Sequence, residues 1–313
     1  MNAVRIYQRF ARRFSELPGN VRGAIWISFA GLILMAMSSM VKALGASFDS
    51  FQILFFRCAV GTVFMLPLVL RSGFATFATR RPGLHLGRTL AGIGAMSCFF
   101  YALTHLPLAE ATAILFSRPL FTTILAVMVL GEVVRWRRAS ATVVGFIGIL
   151  VMLRPGAAIA FEPAALVAVL GAMLAGGTAI IIKKLSATEP TVVIVFWFTV
   201  GGTVLALIPA ILVWRTPTAA EWGLLVLMGL LGLAGQAAMT RAFALGEASA
   251  VVSFDYLRLI YAGLIGIVLF AEVPDVWSLA GAAIIIISTL YIIRREIKLA
   301  VAKGKEKRAL PEP

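Results

Sequence analysis

Three arginines and one aspartate stand inside stretches of sequence that are otherwise apolar. Asp255 and Arg258 are three residues apart, so in a helix their side chains lie on one face. Arg118 is followed by Pro119, and Arg57 lies near the middle of another apolar stretch. A carboxylate and several guanidinium groups can hold the two charged ends of a zwitterion, and Asp255 with Arg258 could instead act as a proton-linked switch. A charge within hydrocarbon costs at least about 2.5–3.5 kcal/mol, so we expect these side chains to face a cavity or each other.

Each of these charges also has a structural interpretation. Asp255 and Arg258 could form an ion pair that only neutralises itself, and Arg118 could reach Asp255 or a helix end. For Arg57 we favour extension towards a membrane interface, or bonding to helix carbonyls, over a binding role. Pro119 removes one backbone hydrogen bond and could expose carbonyl groups to a cavity. The sequence leaves these alternatives open.

Aromatic, amide and acidic side chains form a second group of candidates. A pocket lined by aromatic rings could stack a flat ring or cover a cation. The binding candidates of this kind are Tyr101, Trp197, Gln236, Tyr256 and Tyr261. Glu132 and Glu272 end two apolar stretches and are candidates for a gate or helix-end role, with a solvated interfacial charge as the simpler interpretation.

Membrane-spanning helices must position these residues. Of the 313 residues 61% are hydrophobic and 13% charged, and the mean hydropathy is +0.98; soluble domains have about 45–50% apolar and about 25% charged residues. This composition excludes a soluble enzyme, a disordered regulator and a nucleic-acid-binding protein. Windows of about 19 residues predict an all-α polytopic membrane protein with ten transmembrane helices. The predicted spans are 23–43, 50–70, 88–106, 109–130, 138–154, 164–183, 190–213, 222–243, 249–270 and 277–293.

The basic residues indicate the orientation of these spans. The net charge is +14, and 22 of the 28 Lys and Arg residues, Arg88 among them, fall on one side if both termini are cytoplasmic. Because cytoplasmic loops are enriched in Lys and Arg, this asymmetry predicts that both termini are cytoplasmic. Residues 1–22 then form a basic cytoplasmic segment and residues 294–313 a basic cytoplasmic tail.

The chain repeats itself at an offset of about 140 residues. Residues 51–68 match residues 192–209 at six of 18 positions. A rare intramembrane arginine also recurs, since Arg118 pairs with Arg258, and Glu132 pairs with Glu272. The repeat holds five spans, and five is odd, so the second copy must be inverted relative to the first. Inverted repeats of this kind are typical of secondary transporters, whose substrate sites lie between the halves near the midplane.

Two segments resemble a known family. They are Ala113-Ile-Leu-Phe-Ser-Arg-Pro-Leu-Phe-Thr-Thr with Leu130-Gly-Glu, and Phe254-Asp-Tyr-Leu-Arg-Leu-Ile with Glu272 and residues 277–295. Both are similar to the drug/metabolite transporter superfamily, in particular its EamA-type members with ten spans and two repeats. The resemblance covers residues 20–295 and implies repeats at 23–155 and 164–293. It further implies transport of a small organic metabolite without ATP and without a cofactor.

These observations together predict a secondary transporter of an amino acid-like, zwitterionic or aromatic solute in the bacterial inner membrane. Import of riboflavin or S-adenosylmethionine, which the resemblance also allows, is the alternative. A membrane-embedded enzyme or a channel is disfavoured, because the sequence has no metal-binding motif and no ring of like charges. Besides the solute and the lipid bilayer, protons or a counter-substrate could take part. The direction of transport and the formation of a homodimer are left open.

Overall fold

The computed structural model describes residues 14–45, 47–105, 114–153, 163–261, 264 and 275–309. These residues form α-helices joined by short turns, and the ranges just given contain no β-strand. In chain order the helices are α1 (Gly19–Leu44), α2 (Ser50–Ser72), α3 (Pro82–His105), α4 (Arg118–Leu130), α5 (Trp136–Leu153), α6 (Pro163–Ser186), α7 (Thr191–Leu212), α8 (Ala219–Leu245), α9 (Ala248–Val252) and α10 (Val276–Ala309). Short 3₁₀ turns lie at Phe74–Phe77, after α2, and at Ser253–Tyr256, after α9.

The prediction of a polytopic helical membrane protein is confirmed. Helices α1, α2, α6, α7 and α8 are each long and apolar enough to cross a membrane. Shorter apolar helical segments lie at Arg118–Leu130, Ala139–Val151 and Leu279–Ile292. Each of the ten predicted spans overlaps one of the described helices.

The helices pack in pairs that correspond between the two halves of the chain. Helix α1 packs along α8, and the equivalent pair with the halves exchanged is α6 on α3. Helix α2 packs on α7 and α5 packs on α10, so each of these pairs joins a helix to its own repeat mate. A twofold relation between the halves produces this pattern.

The paired repeat mates α2 and α7 run in opposite directions. Near the start of α2 the Gln52 side chain donates to the carbonyl oxygen of Arg215, beyond the end of α7, at 2.6 Å. At the other end, Val69 packs in one cluster with Val193 at the start of α7. Copies that are alike in sequence yet antiparallel in space are inverted, as the odd number of spans predicts.

Equivalent close contacts recur in the two halves. A Cβ atom at Gly235 would lie 2.6 Å from Cδ2 of Leu34, where α8 meets α1. In the equivalent contact of α3 with α6, a Cβ atom at Gly94 would lie 3.3 Å from Cδ1 of Leu174. Glycine at these positions lets the helix backbones approach closely, the usual device for packing helices in a membrane.

Two interruptions set the positions of the charged residues. Helix α4 begins at Arg118, directly after a turn, so Pro119 lies in the first turn of the helix. A proline there removes no hydrogen bond within α4 itself. Helix α9 ends at Val252, and Asp255 lies in the 3₁₀ turn that follows it.

Candidate functional site

Asp255 lies between two arginines that come from different repeats. Its Oδ2 is 3.2 Å from Nη1 of Arg118, and its Oδ1 is 3.7 Å from Nη1 of Arg258. The Asp255 side chain is only 7% exposed. Since Arg118 belongs to the first repeat and Asp255 to the second, the ion pair joins the two halves of the bundle. The sequence predicted both the pair three residues apart and the alternative that Arg118 reaches Asp255.

Local backbone features hold this ion pair in place. Asp255 lies in the 3₁₀ turn and Arg258 in the helical turn that follows it, so side chains three residues apart lie on one face. Helix α1 makes room for Arg258 at Gly31, where a Cβ atom would lie 2.7 Å from Cγ of Arg258. The ring of Tyr261 lies against the same glycine, at 3.5 Å from that Cβ position. Tyr261 therefore lies beside the ion pair.

Arg88 is a buried cation that the sequence did not identify. Its side chain is 2% exposed, although the sequence placed it among the cytoplasmic charges. Nη1 donates to the carbonyl oxygen of Ile194 at 3.0 Å, and Nη2 donates to Oε1 of Gln236 at 3.3 Å. The guanidinium also lies 4.3 Å from the centre of the Phe198 ring. All of these partners are uncharged.

Arg57 is likewise buried, at 7% exposure. Its Nη1 lies 3.0 Å from the sulfur of Met96, and among the described residues it bonds to no helix carbonyl. The interpretation favoured from the sequence, extension to an interface or to helix carbonyls, is therefore wrong. Gly232 lets Arg57 lie against α8, because a Cβ atom there would be 3.0 Å from Cγ and 3.1 Å from Nε of Arg57.

One face of α8 contacts three of these arginines. Residues spaced by four and then three positions share one face of an α-helix, and seven residues span about 10 Å along its axis. The contacts are, in chain order, Gly232 with Arg57, Gln236 with Arg88, and Met239 with Arg118, whose Nη2 lies 3.9 Å from the Met239 sulfur. The buried charges therefore form one continuous group along the interface between the repeats.

The predicted aromatic residues divide between this group and other places. Tyr256 is 1% exposed and packs in a cluster with Ile149, so it lies beside Asp255 but towards α5. Trp197 donates from Nε1 to the carbonyl oxygen of Phe77 at 2.9 Å, at one end of the bundle. Tyr101 is 43% exposed. The structure thus brings Tyr256 and Tyr261 to the charged group and leaves Trp197 and Tyr101 elsewhere.

Glu132 joins the repeats at the start of α9. Its carboxylate accepts hydrogen bonds from the backbone N–H of Ala248 at 2.7 Å and of Ser249 at 3.1 Å, and from the Ser249 hydroxyl at 2.6 Å. A carboxylate at a helix N-terminus is favoured by the helix dipole, so Glu132 stabilises the start of α9 from the other repeat. Its predicted repeat mate, Glu272, lies outside the described residues.

A second cluster that the sequence missed also joins the repeats. Nε2 of His85 on α3 is 2.5 Å from Oε2 of Glu189, which lies in the turn between α6 and α7. The Thr79 hydroxyl donates to the other oxygen of Glu189. The His85 ring lies 6.0 Å from that of Trp197. His85, which lies outside the predicted spans, is therefore a buried helix residue at 4% exposure.

Two inverted five-helix repeats with buried charges at their interface define a membrane transporter rather than an enzyme. The sequence model of the EamA-like transporter family matches residues 21–154 and 162–294. The chain therefore belongs to the EamA-like transporter family, within the superfamily that the sequence resembles. It is a multi-pass membrane transporter of small molecules.

Three curated relatives illustrate the range of the family. The "S-adenosylmethionine uptake transporter" of Rickettsia bellii is 36% identical over 276 residues, 88% of this chain and 94% of the relative. The "Pseudopaline exporter CntI" of Pseudomonas aeruginosa is 31% identical over 87% of this chain and 96% of its own. The "Riboflavin transporter" of Rhizobium johnstonii is 31% identical over 89% of this chain and 93% of its own.

A solved structure, described in its own words as "Crystal structure of protein", shares the fold. Its sequence is 19% identical to this chain. The two superimpose with a TM-score of 0.73 over 90% of this chain and 99% of that chain. At this identity the likeness supports the fold alone.

Proposed function

We propose that this protein is a secondary transporter of an amino acid-like solute, zwitterionic or aromatic, which binds at Arg118, Asp255 and Arg258. The observation that carries the proposal is the buried carboxylate of Asp255 between two guanidinium groups of different repeats. An ammonium group of a solute can compete with Arg118 and Arg258 for Asp255, and guanidinium groups at the same interface can take the carboxylate of the solute.

Alternating access follows from the inverted repeats. When the halves exchange roles, the site between them opens first to one side of the membrane and then to the other. The ion pair between Arg118 and Asp255 crosses the moving boundary, so solute binding there changes the energy of that movement. We infer that transport proceeds without ATP and is driven by a proton gradient, by the solute gradient or by a counter-substrate.

S-adenosylmethionine, the solute named for the Rickettsia relative, is the first to test. It carries an ammonium, a carboxylate and a sulfonium group, which suits a site with charges of both signs. Riboflavin, named for the Rhizobium relative, is the alternative. Its flat ring system would rely on stacking against a side chain such as Tyr261, which lies beside Arg258.

Binding is tested by the melting temperature of the detergent-purified protein with S-adenosylmethionine, riboflavin and aromatic amino acids. A ligand at 100 times its Kd stabilises the folded protein by about 2.7 kcal/mol. We expect one chemical class to raise the melting temperature and Asp255→Asn to remove the effect. The matched control is Arg71→Gln, a change at an exposed residue at the end of α2, which leaves the effect intact.

Transport is tested by uptake of the stabilising solute into proteoliposomes. A folded Asp255→Asn protein that transports at the wild-type rate would contradict the assignment of the site. Failure of every solute to enter wild-type proteoliposomes, under proton gradients of either sign and with the same solute trapped inside for exchange, would contradict the proposed function.

We also propose that the protein lies in the inner membrane with both termini cytoplasmic, whether it acts alone or as a homodimer. The excess of basic residues on one side supports this orientation. A fluorescent protein fused after Pro313 should fluoresce, and a reporter enzyme that folds only in the periplasm should be inactive at the same position. The reverse pattern would contradict the orientation.

A further inference from the structure

We propose that Arg57 and Arg88 form a second binding subsite, which takes an oxyanion of the transported solute, either a carboxylate or a phosphate. The inference rests on the proposed function in that the oxyanion belongs to a solute bound between the repeats. It differs from the ion pair at Asp255, because it assigns the anionic end of the solute to two other arginines.

The first argument is the burial of two cations without an anion. Arg88 is 2% exposed and Arg57 is 7% exposed. Arg88 bonds to a carbonyl oxygen and to an amide oxygen, and Arg57 bonds to a thioether sulfur. Buried charges are normally paired or coordinated, since desolvation of an isolated ion costs several kcal/mol. Within the described ranges, neither arginine forms an ion pair with Asp or Glu.

The second argument is the charge of the whole group. Arg57 and Arg88 lie against neighbouring turns of α8, at Gly232 and Gln236, and Arg258 lies beside Asp255. Together with Arg118 and Asp255, the described group contains four guanidinium groups and a single carboxylate. The protein therefore has excess positive charge at the repeat interface, and an anionic ligand would balance part of it.

The carboxylate of Glu189 lies near Arg88 but already has other partners. Glu189 contacts His85, which is one turn of α3 before Arg88. Its two oxygens accept from the Thr79 hydroxyl and contact Nε2 of His85. Glu189 forms no ion pair with Arg88 in the described part of the chain, so it does not neutralise that guanidinium.

Within the described part of the chain, Arg88 keeps one free donor that an anion could use. Nε of Arg88 has no hydrogen-bond partner among the described residues although it is buried, and the Phe198 ring covers one face of the guanidinium. Gly232 and Gln236, which contact Arg57 and Arg88, are one turn apart on α8. An arginine offers five donors in a fixed fork that matches an oxyanion. Two arginines that lie against neighbouring turns of α8 could together bind a single carboxylate or phosphate.

The spacing of these contacts along α8 suits a small zwitterion. Arg88 and Arg118 contact α8 at Gln236 and Met239, three residues apart and about 4.5 Å along the axis. A solute with its oxyanion at Arg88 can therefore place an ammonium group near Asp255. In this arrangement Asp255 selects the cationic end, and Arg57 with Arg88 selects the anionic end.

The test uses the purified full chain and probes of defined chemistry. The melting temperature is measured in acetate, in phosphate and in chloride at equal ionic strength. We expect acetate, phosphate or both to raise the wild-type melting temperature above that in chloride by at least about 2 °C. A response to acetate alone indicates a carboxylate, and a response to phosphate alone indicates a phosphate. Equal melting temperatures in all three salts would overturn the proposal.

Two substitutions separate a binding role from a structural one. Arg88→Gln and Arg57→Gln should each remove at least half of the anion response, while the melting temperature in chloride stays equal or rises because an unbalanced buried charge is lost. Arg88→Lys, which keeps the charge without the fork, should retain part of the response. Arg71→Gln is the matched control and should respond like the wild type. A full anion response in Arg57→Gln and Arg88→Gln, or a lower melting temperature of both in chloride, would overturn the proposal.

The two proposals fail in different experiments. The anion response requires no transport, so its presence in a protein that transports none of the tested solutes would leave the subsite standing and contradict the proposed function. Normal transport by wild type with an anion response that neither arginine affects would contradict the subsite alone.

Discussion

Thr62 and Thr203 share a hydrogen bond of 3.2 Å and are 141 residues apart, the offset of the sequence repeat. Each threonine thus contacts its own repeat mate. Two equivalent positions can touch only near the axis that relates them, so this hydrogen bond marks the pseudo-twofold axis between α2 and α7. Neighbouring contacts agree, because a Cβ atom at Gly61 would meet Thr199, and one at Gly202 would meet the equivalent residue, Cys58.

Because α8 packs closely on α2, one methyl group added at Gly229 should destabilise the folded protein. A Cβ atom at Gly229 would lie 2.5 Å from Cβ of Val60, and neither atom is at the end of a flexible side chain. We expect Gly229→Ala to lower the free energy of unfolding by about 1–3 kcal/mol. The control is Gly223→Ala on the same helix, where the added Cβ meets no atom within 4 Å. Denaturant unfolding in detergent should show Gly223→Ala at or above wild-type stability.

The ion pair at Asp255 predicts that replacing Asp255 alone destabilises the protein, and that replacing Arg118 together with Asp255 restores part of the stability. Asp255→Asn leaves Arg118 without its buried counter-charge, which we expect to cost about 3–5 kcal/mol. Replacing both partners, as in Arg118→Met with Asp255→Leu, should restore part of that stability but no transport. Melting temperatures and proteoliposome uptake measure the two effects. Recovery of transport in the double variant would contradict a binding role for these residues.

The hydrogen bonds of Glu132 predict an effect on opening of the interface. Glu132→Gln weakens its contact with Ala248 and Ser249 across the repeats. We expect faster alkylation of Cys58, which is 2% exposed beside Arg57, in a protein that also carries Cys98→Ala. The rate of maleimide labelling measures this opening.

Glu221→Gln is the matched control for Glu132. Glu221 also caps a helix start, through the backbone N–H and hydroxyl of Thr218, but both residues belong to the second repeat. The Glu221→Gln substitution should lower the melting temperature without changing the rate at which Cys58 is labelled. Equal labelling rates in wild type and Glu132→Gln would show that Glu132 only stabilises α9.

The cluster around Glu189 predicts strong coupling between two residues 104 positions apart. In a double-mutant cycle of His85→Ala and Glu189→Ala, we expect a coupling energy of about 1–3 kcal/mol, because removal of either residue takes a buried partner from the other. Denaturant unfolding of the four proteins gives this energy. His85→Ala and Glu221→Ala, which share no contact, should be additive within about 0.5 kcal/mol. Additivity of the first pair would contradict its structural importance.

The sequence predicts the features that depend on local pattern. Hydropathy indicates the spans because the bilayer imposes a minimum apolar length. The pair formed by Asp255 and Arg258 is predictable because three residues of helical backbone bring both side chains together. The recurrence of Arg118 at Arg258 indicates that both lie at equivalent positions of inverted copies.

The sequence does not predict contacts between distant residues that lack a repeat mate of the same type. Arg88 bonds to Gln236 across 148 positions, and the residue 140 positions after Arg88 is Met228. Hydropathy assigns Arg88 to the edge of a span, where a cation can reach water. Only the packing of α3 against α7, and the hydrogen bond from Arg88 to Gln236 on α8, show that this side chain is buried. The same applies to His85, whose partner Glu189 lies in another repeat.

Arg57 and Phe198 occupy equivalent positions, 141 residues apart, yet one is a cation and the other an aromatic ring. If the halves were identical, exchange of their roles would map the inward-facing form onto the outward-facing form, and the two would have equal free energy. Only positions at which the repeats differ can make one form more populated than the other. Positions such as Arg57 therefore determine whether the inward-facing or the outward-facing form is more populated in the absence of solute. The same positions supply the excess buried charge.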